Sequence, residues 1–330
     1  WRVTFSGFSG LNFASKDSNP SANSGSLRGS IDLIFNLIHG KGGEDGLVQS
    51  WIEALKINYV GSDSNSSLTS FSKIDTKIVW LENNLNTPEY ITSNQIFNYF
   101  NYKNKNISDV EMSKSIMECK EFFIKNKKFI LKPNCSGSSV GVKIYDDMTK
   151  LWKDNKNIFS EKKNDYLIES FVNGIEYTAP IINGELYPII QIATKREFYN
   201  YEAKYIDDNT SFTFPEFDKD LLLDIEKICL EAFHSLKCKG WGRVDFFMKD
   251  SNIFLIEINT IPGMTSHSLV PMSAKKKGLT YNELVNNVKD VLDEIPIHIY
   301  KNLIKGAYDR NEKYVKRPST RKRKPKKYLD

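Results

Sequence analysis

Arg243, Asp245, Glu257 and Asn259 are the side chains best suited to chemistry in this sequence, and their spacing gathers them. The pattern predicts two strands, over residues 242–248 and 253–259, around a polar turn from Lys249 to Asn252. Side chains alternate faces along a strand, so Arg243 and Asp245 share one face, as do Glu257 and Asn259. A hairpin centred on Ser251 sets Asp245 across from Glu257 and Arg243 across from Asn259. Val244, Phe246, Phe254, Ile256 and Ile258 are then expected on the opposite, apolar face. Such a cluster can be a cross-strand salt bridge on a solvated face, which stabilises little. It can also hold a hard cation beside a phosphate. The residues after the second strand favour the cation: a turn from Thr260 to Met264, then Thr265, Ser266, His267 and Ser268 before an expected helix. A helix start offers free N–H groups to an anion. Oxygen ligands in that setting suit Mg²⁺ better than zinc.

Other stretches must position this cluster. An apolar strand over residues 31–38 runs into His39, Gly40, Lys41, Gly42, Gly43, Glu44, Asp45 and Gly46, and then an amphipathic helix from Leu47 to Leu55. Strand, glycine-rich loop and helix form a site-bearing unit of an open α/β sheet, or merely a flexible turn. Phe129 to Pro133 reads as a strand with Lys132 near its end, and Asn134 to Ile144 returns as another. The hydroxyl-rich loop between them suits a flap over a triphosphate, although alone it is also an ordinary turn. It is not a Walker loop, having neither that glycine–lysine order nor a following helix. A strand ends at Val172, another starts at Gly174, and Asn183-Gly184 is a two-residue hairpin turn. Glu169 and Glu176 are there as strand-end carboxylates. The aromatic loop from Phe198 to Phe214, with Lys204 in it, has the length and composition of a lid. Residues 218–236 predict an amphipathic helix with Leu222, Ile225, Ile228, Cys229 and Phe233 on one face. Lys73 and Lys77 read as a solvated helix face, residues 6–30 as loop, and residues 83–128 as peripheral helix and loop. His234 and His298 read as surface residues.

At 330 residues the chain is long enough for two or three domains. Its 40% hydrophobic and 26% charged content is that of an ordinary soluble protein. No apolar run approaches the ~20 residues that span a bilayer, and the start has no signal-peptide pattern. The start also lacks Met, so a processed or incomplete chain is expected. Cys119, Cys135, Cys229 and Cys238 have no metal-ligand spacing and read as free thiols, which makes the cytoplasm the expected compartment. The net charge of +5 is uneven. Residues 301–330 hold 12 Lys/Arg against 3 Asp/Glu, leaving the first 300 residues with 34 basic and 38 acidic side chains. The basicity therefore belongs to a proline-broken tail, expected to be disordered and solubilising or non-adaptive, with docking on RNA, anionic lipid or an import receptor as the alternative.

Taken together these stretches resemble the D-alanine–D-alanine ligases of the ATP-grasp superfamily. The resemblance is carried by Arg243-Val244-Asp245, Glu257 to Thr260, and Pro262 to Pro271, and by His39-Gly40, Gly43-Glu44-Asp45-Gly46 and Asn58 to Ser62. It also includes Lys132-Pro133 with Gly137 to Gly141. It implies an α/β (α+β) chain with the ATP-grasp fold, two lobes sandwiching ATP, preceded by a partial open α/β N-terminal domain. The implied boundaries are 1–72 for that domain, 73–172 for the central lobe, 173–297 for the C-terminal lobe and 298–330 for the tail, with a last helix from Leu279 to Leu292. The family's opening glycine-rich strand, loop and helix have no counterpart before His39. Residues 1–5 look like the family's second strand, so the first strand and helix are expected to be missing.

The resemblance also assigns roles. Lys73 and Lys132 would contact phosphates, Lys204 the γ-phosphate, Glu169 and Glu176 the adenine amino group and ribose, and Phe171 and Val172 the base edge through their backbone. Asp245, Glu257 and Asn259 would hold two Mg²⁺ (or Mn²⁺). The first D-alanine's carboxylate would attack the γ-phosphate, and the second's amine would attack the resulting acyl phosphate. Arg243 and the Gly263 N–H would stabilise the oxyanion, while Ser268 and the Leu269 N–H would seat the second carboxylate. Tyr205 would latch onto Ser138 as the lid closes, and His39 would border the first D-alanine site. The implied product, D-alanyl-D-alanine, serves peptidoglycan synthesis, and a homodimer through the N-terminal domain is the implied assembly. A non-catalytic ATP-binding remnant is the alternative of another class. A ligase taking D-lactate or D-serine second is the other, which Tyr205 disfavours.

Overall fold

The structure is a computed structural model describing residues 2–4, 11–15, 33–104, 113–137, 140–159, 165–194 and 210–289. Three sheets organise these residues. The first has the order β1 (Arg2–Thr4), β2 (Leu11–Ser15), β3 (Leu33–Asn36), β4 (Asn58–Val60). Its first two pairings are antiparallel, and β3–β4 is parallel. Residues 11–15 are thus a strand where the sequence pattern predicts loop. Leu-Asn-Phe-Ala-Ser is too short and polar to announce itself, and it is fixed by pairing with β3. All four residues of β3 are buried, and alternation splits them between two cores. Ile34 packs on Val48 and Ile52 of α1 (Leu47–Ala54), whereas Leu33 and Phe35 pack on the C-terminal part of the chain.

The central sheet is antiparallel, in the order β5 (Tyr90–Thr92), β8 (Tyr166–Ser170), β6 (Phe129–Pro133), β7 (Lys143–Tyr145). Against it pack α4 (Ser93–Asn104), α5 (Lys114–Lys125), α6 (Met148–Asp154) and α7 (Lys156–Phe159). Here the reading of residues 83–128 as peripheral is corrected. Ile96, Phe100, Cys119 and Phe122 are buried in this lobe's core. The Asn- and Lys-rich outer faces of α4 and α5 dilute the apolar period that carries those residues inward.

The third sheet has the order β12 (Thr210–Thr213), β11 (Ile190–Thr194), β9 (Ile175–Ile182), β13 (Trp241–Lys249), β14 (Asn252–Asn259), with β10 (Glu185–Leu186) paired to β9. Asn183 and Gly184, both at positive φ, make the expected tight turn between β9 and β10. The helix α8 (Lys219–Ser235), capped by Asp218, buries Ile225, Cys229 and Phe233 against this sheet. Leu221 rather than Leu222 joins that packing, and Leu222 is exposed. Trp80, from α3 (Lys73–Glu82), which follows α2 (Ser64–Phe71), enters the same core and donates to the Ala232 carbonyl at 3.1 Å. Finally α9 (Leu269–Lys276) and α10 (Tyr281–Lys289) close over Leu33, Phe35 and Trp241. Among the described residues no helix is long and apolar enough to cross a membrane.

One irregularity corrects the expected apolar face. The β13–β14 turn is Asp250-Ser251, so Lys249 pairs Asn252 and Phe246 pairs Leu255. The register then shifts, and Asp245 pairs Glu257. Ile256 is the extra residue of a bulge, which flips the alternation on the turn side. Ile253 and Leu255 are therefore in the core, Ile256 is buried outside that cluster, and the expectation for Phe254, which is half-buried, is overturned.

Candidate active site

The expected cross-strand pairs, Arg243 with Asn259 and Asp245 with Glu257, are both present. Asp245 is nearly buried and accepts from every side. Arg243 Nε donates to Oδ1 and Nη2 to Oδ2, both at 2.8 Å. Thr178 Oγ1 on the neighbouring β9 donates to Oδ1, and Asn259 Nδ2 to Oδ2 at 3.1 Å. This fork fixes the plane of the Arg243 guanidinium relative to the sheet. The donor set of two carboxylates and an amide is hard oxygen chemistry and fits Mg²⁺. Among the described residues no group of three His, Cys, Asp or Glu forms a denser metal cluster.

Glu257 faces α3. Lys73 Nζ lies 3.2 Å from Glu257 Oε2 and donates to the Ser136 carbonyl at 2.6 Å. One ammonium thus joins the hairpin to the glycine–serine loop after β6. The root of that loop is held by Asn134, which sequence reasoning passed over. Its backbone carbonyl accepts from Lys73 N (3.2 Å), its Oδ1 accepts from Ile74 N (2.9 Å), and its Nδ2 donates to Ser72 Oγ (3.1 Å). The start of α3 and the loop are therefore one unit. Lys73, Ser136, Gly137, Glu257, Asn259 and Glu44 line one open cleft.

The glycine-rich loop after β3 is held in place by its own acids. Glu44 accepts from Gly40 N (2.7 Å) and Asp45 from Gly42 N (2.8 Å). Gly43 permits a close approach, since a Cβ there would sit 2.0 Å from the Ile38 carbonyl oxygen. The His39 ring is largely exposed, with Nδ1 3.5 Å from Glu44 Oε1. At the far side, Gly263 closely approaches Ser268, where a Cβ would meet Oγ at 2.6 Å. Ser268 Oγ accepts from Thr265 N at 3.0 Å and precedes α9, while the Leu269 side chain packs near Ile192.

Glu169 and Lys132 sit deeper. Lys132 Nζ donates to Glu169 Oε2, and both side chains are buried. Lys77, expected on a solvated face, is fully buried with them, its Nζ 3.1 Å from Glu169 Oε1, within ion-pair range but off the line of a hydrogen bond. Desolvation pulls the Lys77 ammonium down to about 8, against the opposing pull of Glu169. Burial pushes the Glu169 carboxyl up, but the two ammonium charges outweigh it and hold it below the usual range. The signal for Lys77 was its place in the stripe Ile74, Lys77, Trp80, at helical spacing on the buried side of α3. Phe171 N donates to the Lys128 carbonyl at 3.0 Å, so that amide is already committed, and the Lys128 ammonium lies over the Phe171 ring. Glu176, on β9, is half-buried and pairs across to Ile192 and Phe247. Ser138, Lys204 and Tyr205 lie outside the described residues.

Two antiparallel lobes, one giving a glycine–serine loop and the other an acidic hairpin to a shared cleft, define the ATP-grasp class. A solved D-alanine–D-alanine ligase from Bacillus anthracis, complexed with ATP, superposes with a TM-score of 0.62 at 30% identity, covering 79% of this chain and 78% of that one. Family models described as the D-ala D-ala ligase N-terminus and C-terminus match residues 11–62 and 86–289. The D-alanine–D-alanine ligase of Vesicomyosocius okutanii is 37% identical over 78% of this chain and 81% of its own length. That of Buchnera aphidicola is 38% identical over 78% and 80%. The chain belongs to the D-alanine–D-alanine ligase family.

Proposed function

We propose that this chain joins two D-alanines at the expense of ATP, releasing ADP and phosphate. The observation that carries the reading is the junction at Lys73, where the ammonium contacts both Ser136 O and Glu257 beside the Arg243–Asp245 fork. A phosphoryl transfer site needs positive charge and anchored acids within one cleft, and little else by way of protein chemistry. In this reading Lys73 and Lys132 bind ATP phosphates, and Glu169, Glu176 and the backbone at Phe171 and Val172 bind the adenosine. Lys204 reaches the γ-phosphate, with Tyr205 and Ser138 completing the closed lid.

Asp245, Glu257 and Asn259 would hold Mg²⁺ or Mn²⁺, which when bound neutralises charge on the phosphate oxygens. The D-alanine carboxylate displaces ADP from the γ-phosphorus, and the second amine then displaces phosphate from the acyl carbon. Arg243, its plane set by Asp245, faces the oxygen that gains charge, together with the Gly263 N–H. Ser268 and the first turn of α9 seat the second carboxylate, and His39 borders the first substrate. The test is phosphate release from ATP with Mg²⁺ and D-alanine, L-alanine or no amino acid, with the dipeptide sought by mass. Release that depends on D-alanine and yields dipeptide is expected. Equal release in all three arms, without dipeptide, would sink the reading.

A further inference from the structure

Lys77 has no part in the proposed chemistry, yet it is the most completely enclosed charge in the described structure, at 0% exposure. A buried ammonium is costly unless each donor is directed to a partner. Lys77 Nζ donates to Thr87 Oγ1, stands 3.4 Å from the Pro88 carbonyl, and is 3.1 Å from Glu169 Oε1. Thr87 Oγ1 passes the contact on, donating to the Leu255 carbonyl at 2.8 Å. Beside it Leu255 N donates to the Asn86 carbonyl at 2.9 Å, and Asn86 Nδ2 donates to the Ile253 carbonyl at 2.9 Å. The segment Asn86 to Pro88 thus runs along the outer edge of β14 before entering the central sheet at β5. One side chain rooted on α3 therefore touches both the strand carrying Glu169 and the crossing between the two lobes.

The charges make the arrangement asymmetric. Glu169 is a single anion between two buried cations, Lys132 on Oε2 and Lys77 on Oε1. Without Lys77, Glu169 would be held from one side only and could rotate with Lys132 as a pair. With Lys77 on α3, charge attraction holds Oε1 while the hydrogen bond from Lys132 holds Oε2, and Lys132 inherits a fixed position.

We infer that Lys77 is a positioning residue for nucleotide binding, fixing Glu169 and, through it, Lys132, and tying their orientation to the C-terminal lobe through Thr87. This rests on the proposal that the cleft binds ATP, so the first measurement is MgATP binding to the unaltered full chain by calorimetry. No binding there overturns the functional reading and this inference with it. Given binding, Lys77→Met is expected to raise the Kd and KM for MgATP at least tenfold and leave the KM for D-alanine within twofold. A folded Lys77→Met with an unchanged Kd overturns the inference alone, as does a parallel rise of both KM values, the mark of general loosening. Thr87→Val and Thr87→Ser decide the matter should Lys77→Met fail to fold. Valine removes the hydroxyl link and serine restores it, so a several-fold rise in MgATP Kd with valine, reversed by serine, is expected. Equal affinities for the two variants would overturn the idea.

Discussion

Two charge clusters among the described residues, one on paired strands and one joining helix α3 to two strands, differ in what can reach them. The cluster at Arg243, Asp245, Glu257 and Asn259 opens onto the cleft, with Glu257 20% and Arg243 15% exposed as side chains. The cluster at Lys77, Lys132 and Glu169 is sealed, with the three side chains at 0%, 6% and 2%. An open cluster can exchange its partners for a ligand, because water and substrate reach it. In the sealed one Lys132 and Glu169 are the groups proposed to meet the nucleotide, and Lys77, fully enclosed behind them, acts on folding and on the placing of its neighbours. Placement, more than residue type, separates chemistry from support.

Breaking the sealed cluster is expected to have the largest effect on stability. Glu169→Gln removes the one anion and leaves two ammonium groups buried together, a change that costs about 3–5 kcal/mol when a buried pair is broken. Urea unfolding would register it as a lower midpoint. A variant as stable as the parent would mean that the cluster is hydrated, and the contrast between the clusters would fail.

The same chemical change in the open cluster should move turnover instead. Glu257→Gln is expected to lower kcat about a hundredfold, comparable to losing one aligned electrostatic contact in a transition state. Its unfolding free energy should stay within about 1 kcal/mol, as for partly exposed ion pairs. Paired assays of dipeptide formation and denaturation check both halves. A large stability loss with intact kcat would reverse the assignment.

pH sharpens the comparison further. Lys77 titrates near 8 when folded, against 10.5 for a free lysine, with Glu169, Lys132, Lys73 and Tyr90 as the charged or titratable groups around it. Between about 8 and 10.5 the unfolded chain holds a proton that the folded chain has lost, so this group adds stability as pH rises. Its burdening effect is fully present below pH 8. Buried thiols work the other way, with Cys119 pushed up to about 12 from 9 by burial. The parent curve is therefore a composite, and subtracting the curve of Lys77→Met isolates the lysine. The difference is expected to grow in favour of the parent across that window, by up to about 1.4 kcal/mol per pH unit. A flat difference would place Lys77 in contact with water.

The clusters also differ in how far the sequence disclosed them. Arg243, Asp245, Glu257 and Asn259 are legible because period-two alternation over two adjacent strands needs only local spacing. The Lys77 triad joins a helix to two strands distant in the chain, and its local signal, the stripe Ile74, Lys77, Trp80, is faint in an Asn- and Lys-rich sequence. The lobes followed from strand patterns and from the resemblance, whereas β2 and the core of α4 and α5 depended on pairing and packing that short polar segments do not advertise. Asn134 belongs to the same class: its amide matters because α3 arrives beside it from a separate part of the chain.

Even the legible cluster was reached through compensating features. A two-residue turn at Asp250-Ser251 alone would set Asp245 opposite Ile256, and no cross-strand acid pair would form. The bulge at Ile256 restores Asp245 to Glu257, and the same bulge turns Phe254 away from the core and Leu255 into it. Register is thus specified twice, by the apolar pattern on the turn side and by the polar pattern on the cleft side. The smallest effect tests this. Phe254→Thr is expected to cost about 1 kcal/mol or less, since threonine suits a half-buried strand position. Leu255→Ala, at a fully buried site, should cost about 2–5 kcal/mol. Thermal denaturation of the two variants side by side gives the order. If Phe254 proves the costlier, the strand is straight, Asp245 and Glu257 do not face each other, and the cleft loses its paired acids.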